Sequence, residues 1–256
     1  MIDPFVPRVG GILSADIAVP EHAREVRFYS RVLTTGELPL WREDLMNNLG
    51  QPIIGLGPRS EEYASLPLQW MPHIQVADVA ASAKRALDLG GKALMLDDKS
   101  RWAVLLDPNG AAFGIIPVVS AEDVPPADGV AAQVGHISWL DLTVADASAT
   151  RDFYQQVVGW SVQDVEMEDA SGRYADYNMV GDDGNPAAGV RHARGVNAGL
   201  PPVWMICLPV GDLAESVRRV REEGGRIVTE TRGNDGEHAR AVVQDPVGAY
   251  LSLVPG

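Results

Sequence analysis

The sequence predicts an α+β protein made of two tandem βαβββ-βαβββ modules, and three observations carry that expectation. A turn motif occurs twice, as Asp107-Pro-Asn-Gly and as Asp245-Pro-Val-Gly, each between two apolar runs. A Phe-Tyr pair occurs in two helical patterns, at 28–29 and 153–154, an offset of 125 (153 − 28). A Trp-x-x-x-x-x-Val-x-Asp stretch starts at Trp70 and again at Trp204, an offset of 134 (204 − 70). Colinear matches across a whole chain mark an internal duplication.

Each element has a local reason. Residues 10–19 alternate weakly between apolar and small or polar residues and read as a strand, followed by a helical pattern with Val26, Tyr29, Val32 and Leu33 on one face. Residues 135–144 repeat the strand, and Asp146 stands where a helix N-cap belongs. Gly50-Gln-Pro-Ile-Ile-Gly55 matches Gly184-Asn-Pro-Ala-Ala-Gly189. Helices are expected over 79–89 and 213–223, because each pattern runs into Gly-Gly, a sensible C-cap. In Asp-Pro-x-Gly, Pro presets φ for the first corner and Gly closes the turn, so each copy reads as a β-hairpin. The second copy carries a longer loop around Gly233-Asn-Asp-Gly236. The first module is expected over 1–119, a linker containing Pro125-Pro126 over 120–133, and the second module over 134–256.

The 256 residues carry 21 Lys and Arg against 35 Asp and Glu, a formal charge of −14 without any basic block. Nucleic acid and anionic membranes demand clustered cations, so neither is an expected partner. A hydrophobic fraction of 46% suits a globular protein with a real core. Cys207 is the single cysteine, which rules out an intrachain disulfide and a Cys-rich zinc site. The N-terminus lacks a signal-peptide pattern and no apolar run is long enough to span a bilayer, so a cytoplasmic protein is expected.

The order of these motifs resembles the vicinal oxygen chelate superfamily of glyoxalases, bleomycin-resistance proteins and extradiol dioxygenases. The paired Trp-x-x-x-x-x-Val-x-Asp strands look most like the two-module glyoxalase-like proteins of actinobacteria labelled as hydroxylases. The resemblance implies that each module curls a mostly antiparallel sheet into a cup, with helices outside and a small-molecule ligand inside. It further implies a divalent metal held from the first strand, the strand opening the second half and the strand after Asp-Pro-x-Gly, acting as a Lewis acid. Here the chain departs from the pattern. The expected ligand positions read Ser14, Met71 and Gly114 in the first module, and Trp139, Met205 and Ser252 in the second. None is a good hard-cation ligand, so no cofactor is expected.

Two polar residues lie on the same strand faces in each module: Asp16 with His73, and Asp141 with Cys207. Facing one cup, Asp16 would orient His73 and raise its pKa, making a general base. A strand-end pair satisfied by backbone and water is the plainer reading. Cys207 reads as inert core rather than nucleophile. Trp70 and Trp204 have the opposite parity and should pack under the helices, whereas Trp139, Met71 and Met205 have cup parity and are expected to form an apolar ligand wall, with Asp141, Cys207, Gly114 and Ser252 completing the candidate ligand-binding set. His136 is expected at the surface or against the linker, and His22, His192 and His238 receive no role. Three functions remain open: binding of a small organic ligand, aromatic or natural-product, without metal; a lyase or isomerase using Asp16 and His73, or an unusual metal site; and an interaction protein with a vestigial cup. Duplication lets the modules pair within one chain, so a monomer is expected, with a homodimer as the alternative.

Overall fold

The computed structural model describes residues 7–51, 53–120, 122, 134–233, 236 and 238–256. Most of the linker expected over 120–133, and Asn234 and Asp235 of the long loop, lie outside the described residues.

The first module runs β1 (Ile12–Val19), α1 (His22–Leu33), β2 (Ile54–Pro58), β3 (Met71–Val76), α2 (Val79–Asp88), β4 (Lys92–Leu96), β5 (Ala103–Leu106) and β6 (Ala112–Pro117). The second runs β7 (Trp139–Val144), α3 (Ala147–Val158), β8 (Ser161–Asp169), β9 (Gly172–Val180), β10 (Pro186–His192), β11 (Trp204–Val210), α4 (Leu213–Glu222), β12 (Arg226–Arg232), β13 (His238–Gln244) and β14 (Tyr250–Pro255). Each module has its own mixed sheet, ordered β2-β1-β3-β6-β5-β4 and β12-β13-β14-β11-β7-β10-β9-β8. The α+β class and the two modules are as expected.

One half-module departs from the expected βαβββ. After α1 the first module contributes only β2, which pairs parallel to β1 as β10 pairs parallel to β7. No counterpart of the β8–β9 hairpin stands among the described residues of that half. An irregular stretch takes its place, pinned by the Trp41–Asn47 bridge and by Trp41 Nε1 donating to the Pro209 carbonyl of the other module. Gly184 turns β9 into β10, whereas Gly50 precedes β2 with no strand before it to pair, so among the described residues the two matching stretches differ in structure.

The local reasons hold elsewhere. Asp78, Asp146 and Asp212 each cap a helix by accepting a backbone N–H three residues on. Gly90, Gly159 and Gly224 follow helices with positive φ, the conformation glycine adopts without a Cβ penalty. Both Asp-Pro-x-Gly turns join antiparallel strands, β5 to β6 and β13 to β14.

The helices pair across the modules, α1 with α4 and α2 with α3. One apolar core therefore includes the inner faces of both sheets and all four helices, with Phe28, Tyr29, Trp70, Phe153, Tyr154 and Trp204 buried in it. Trp70 and Trp204 pack beneath the helices, as their parity requires. The opposite face of each sheet carries a smaller cluster, Ala18, Leu66, Met71 and Ala112 in the first module and Val203, Met205 and Val242 in the second. These are the two faces on which the resemblance places the cups. No helix among the described residues is long and apolar enough to cross a membrane.

Candidate functional site

The cup face of the first sheet opens on a cavity of about 570 Å³. Met71 comes from β3, Met95 from β4 and Trp102 from the residue before β5, while Tyr63 and Leu66 come from the loop after β2. Its polar members include Asp16, His73 and Glu62, and among the described residues no Lys or Arg lines it.

Strand register decides which side chains meet. Ser14 pairs with His73 across β1 and β3, and His73 pairs with Gly114 across β3 and β6. Ser14, His73 and Gly114 thus form one row, with Asp16 and Met71 the next pair along. Ser14 Oγ lies 2.9 Å from His73 Nδ1, and Asp16 Oδ2 lies 3.6 Å from His73 Nε2. The expected meeting of Asp16 and His73 is present, with Ser14 as a partner that strand parity alone did not single out. The expected rise in the His73 pKa is reversed: burial pushes it down, and the Asp16 carboxylate only partly offsets this. His73 is the neutral imidazole at pH 7. Gly114 is needed for this ring, since a Cβ there would stand 2.5 Å from His73 Cδ2.

The second cup has the same frame and different contents. The row is Trp139, Cys207 and Ser252, with Asp141 paired to Met205. Asp141 is buried and its carboxylate accepts from Trp139 Nε1 at 2.9 Å. Arg240 Nη1 reaches it at 2.9 Å and Arg191 Nε at 3.4 Å. Arg240 Nε also donates to Ser252 Oγ at 2.7 Å, and Arg191 Nη2 to Asn178 Oδ1 at 2.8 Å. Met205 is fully buried against Val203 and Val242. Burial, aided by the Asp141 charge, pushes the Cys207 thiol up to about 12, so it is no nucleophile.

The register makes the two cups directly comparable. Asp16 pairs with Gly55 on β2, and Asp141 with Gly189 on β10. Each glycine accommodates the carboxylate, for a Cβ would stand 2.2 Å from Asp16 Oδ1 or 2.4 Å from Asp141 Oδ1. Two residues on from those glycines lie Gly57 and Arg191. Val104 pairs with Gly114 and Val242 with Ser252; two residues before those valines lie Trp102 and Arg240. The second cup therefore has arginines at both positions where the first has Gly57 and Trp102. Sequence reasoning missed both arginines, although their offsets of 134 (191 − 57) and 138 (240 − 102) match those of the repeat.

The row also corrects the expected metal positions. Three side chains that share an ion must converge, and the residue standing between Ser14 and Gly114 is His73, not Met71; in the second module it is Cys207, not Met205. Even so, the donors do not fit the family's metal. Gly114 offers no side chain, Ser14 Oγ is engaged by His73, Cys207 is a buried thiol, and Ser252 Oγ accepts from Arg240. His136, expected at the surface or against the linker, is buried, with Nδ1 2.7 Å from the carbonyl of Val134, the residue that follows the linker. His22, His192 and His238 lie against the Leu56 carbonyl, Asp176 and Glu230, outside both cups.

Two fused modules, each with a mixed sheet backed by cross-packed helices, define a duplicated α+β fold whose first sheet opens on a cavity on its far face. This chain belongs to the glyoxalase/bleomycin resistance protein/dioxygenase superfamily. The model of that family matches residues 133–253, and a glyoxalase-like domain model matches residues 14–116. The anthracycline biosynthesis protein DauV of Streptomyces sp. (strain C5) is 30% identical over 211 residues, covering 77% of this chain and 69% of that one. DnrV of Streptomyces peucetius, also an anthracycline biosynthesis protein, is 29% identical over 207 residues with the same coverage. Among solved structures, homoprotocatechuate 2,3-dioxygenase from Arthrobacter globiformis superposes with a TM-score of 0.57 at 13% identity, covering 98% of this chain and 80% of that one. For 2,2',3-trihydroxybiphenyl 1,2-dioxygenase from Sphingomonas wittichii the TM-score is 0.54 at 15% identity, covering 98% and 91%. At such identities the structural likeness concerns the fold alone.

Proposed function

We propose that the first module is the ligand site of this protein and binds a flat aromatic organic molecule without the family's metal. The observation that carries this is the cavity of about 570 Å³, walled by Met71, Met95, Trp102, Tyr63 and Leu66, with His73 and Asp16 as convergent polar groups. That volume lies in the usual range for small-molecule sites, about 300–1,000 Å³, and apolar walls with a few placed polar groups are their usual composition. Met and aromatic side chains suit fused rings. The second cup, crossed by Arg191 and Arg240 on Asp141, serves as an ion-paired structural counterpart. Relatives that bear the name of anthracycline biosynthesis proteins agree with a polycyclic aromatic ligand.

The test transfers the second cup's arginines into the first. Wild-type protein titrated with a soluble hydroxyanthraquinone should show saturable quenching of tryptophan fluorescence. The double variant Gly57→Arg/Trp102→Arg, checked for folding by circular dichroism, should lose binding measured by calorimetry. Undiminished calorimetric binding by that variant removes the first cup as the site.

His73 supports a second reading, a lyase or isomerase. With Nδ1–H donated to Ser14 Oγ, neutral Nε2 becomes the basic atom, and Asp16 stands 3.6 Å away to stabilise the imidazolium formed on proton uptake. A ligand with an acidic C–H beside a carbonyl should then exchange it for deuterium in wild type but not in His73→Ala. Equal exchange rates in both dismiss this reading.

A further inference from the structure

The two cups differ in how their matching carboxylates are neutralised. In the second, Asp141 meets two guanidinium groups of its own chain, Arg240 at 2.9 Å and Arg191 at 3.4 Å. In the first, Asp16 occupies the same register position, over Gly55 as Asp141 lies over Gly189, but Gly57 and Trp102 stand where those arginines would be. The basic group facing Asp16 is His73, at 3.6 Å, which burial keeps neutral. The Asp16 side chain is 56% exposed, and Glu62 adds a second carboxylate to a cavity that no Lys or Arg lines among the described residues. The second cup thus shows what a carboxylate at this position holds when the chain itself supplies the partner: a nitrogen cation.

We infer that the ligand of the first cup supplies the cation that the chain omits, so that the site selects aromatic molecules bearing an amine or another nitrogen cation, with the charged group against Asp16. This deepens the reading of the first cup as an aromatic ligand site and rests on it. Trp102 fits the assignment: it replaces an arginine with an indole, and a cation near its face gains attraction from the ring in addition to the Asp16 charge. Apolar walls take the ring system, and the carboxylate end takes the ammonium. Anionic aromatics meet only like charge there.

The experiment is a matched set with one ring system and three charges: 1-naphthylmethylamine, 1-naphthalenemethanol and 1-naphthoate, each titrated calorimetrically into the whole protein at low and moderate salt. The amine is expected to bind roughly tenfold tighter than the alcohol, the carboxylate weakest, and the preference to shrink as salt rises. In Asp16→Asn, which keeps the shape and removes the charge, the ratio of amine to alcohol affinity should fall to about one. Glu62→Gln should reduce the advantage by a smaller factor. Equal affinity of amine and alcohol overturns the inference and leaves the aromatic site standing. An amine preference that survives Asp16→Asn overturns the assignment to this carboxylate. If no member of the set binds while the hydroxyanthraquinone does, a cation is not what the cup recognises; if neither class binds, the aromatic site falls with it.

Discussion

Tyr29 of the first module donates its hydroxyl hydrogen to Asp245, the turn aspartate of the second module, at 2.9 Å. The relation is reciprocal: Tyr154 of the second module reaches Asp107, the turn aspartate of the first, at 3.4 Å. Each hydroxyl also accepts from the tryptophan of its own module, Trp70 Nε1 at 3.0 Å and Trp204 Nε1 at 2.8 Å. The turn aspartates meanwhile accept the backbone N–H groups that close their own hairpins, those of Asn109 and Ala111 and of Val247 and Ala249. The three recurring motifs, Phe-Tyr, Trp and Asp-Pro-x-Gly, are thus parts of one device used twice, which locks each module to the turn of the other.

Removing either hydroxyl leaves a buried indole N–H without its acceptor and a buried carboxylate short of a donor. Tyr29→Phe should therefore cost about 2–4 kcal/mol and Tyr154→Phe, whose bond to aspartate is longer, about 1–3 kcal/mol. Urea unfolding should remain a single transition, since both modules share one core. Two separate transitions in either variant would contradict the shared-core account.

Glu25 is the asymmetric member of this interface. It is fully buried beside Asp245, yet neither of its oxygens meets hydrogen-bond geometry with a partner. Burial, reinforced by the Asp245 charge, pushes its carboxyl up to about 8. A carboxyl whose folded-state pKa is raised binds its proton more tightly folded than unfolded. Its stability contribution is therefore complete below the unfolded value near 4.5 and is lost as pH rises toward 8. Glu25→Gln should leave the melting temperature at pH 5 nearly unchanged and gain on the order of 1–2 kcal/mol relative to wild type at pH 9. Parallel melting-temperature profiles across that range would refute the role assigned to Glu25.

Much of this fold was legible in the sequence because its motifs are local chemistry repeated: caps, Gly-Gly stops and Asp-Pro-x-Gly turns each act within a few residues. The missing half-module strands were not, because the weak patterns around 34–53 carry no strong period of either kind. Asp16 and His73 could be paired from their symmetric spacing before the helices. Arg191 and Arg240 could not be so placed without the register, since their meeting at Asp141 depends on parallel pairing of β10 with β7 and on the order of β13 and β14. His73 was visible as a polar group, but its pKa direction depends on how deeply the ring is buried, which spacing does not encode.

The glycines beneath the two carboxylates should respond differently to the same substitution. At Gly189 a methyl would enter within 2.4 Å of Asp141 Oδ1 and 2.6 Å of Arg191 Nη2, inside a fixed ion-pair cluster. At Gly55 it would displace Asp16, a half-exposed side chain free to turn toward solvent. Gly189→Ala is expected to cost about 2 kcal/mol of stability, whereas Gly55→Ala costs less than about 1 kcal/mol. Only Gly55→Ala should weaken ligand binding in the first cup. Denaturation and calorimetry on the two variants separate these effects; equal loss of binding in both would mean that the second cup also takes part.

Cys207 and His73 hold the same place in their rows, which makes thiol reactivity a direct probe of how the cups differ. His73 borders an open cavity, while Cys207 is 3% exposed beneath the Arg240–Ser252 contact. With its pKa at about 12, only on the order of one thiol in ten thousand is thiolate at pH 8, and that fraction is shielded. Native protein should resist a thiol-reactive disulfide reagent for hours at pH 8 and react within minutes once unfolded in urea. Arg240→Ala removes both the side chain bonded to Ser252 beside the thiol and a cation whose charge lowers the thiol pKa. Labelling should accelerate through the new opening, by roughly tenfold or more, even though losing the guanidinium raises the thiol pKa further. Access and acidity therefore predict opposite changes in this variant. Faster labelling at an unchanged melting profile assigns the protection of Cys207 to the Arg240 side chain, whereas slower labelling would show that acidity rather than access controls the second cup.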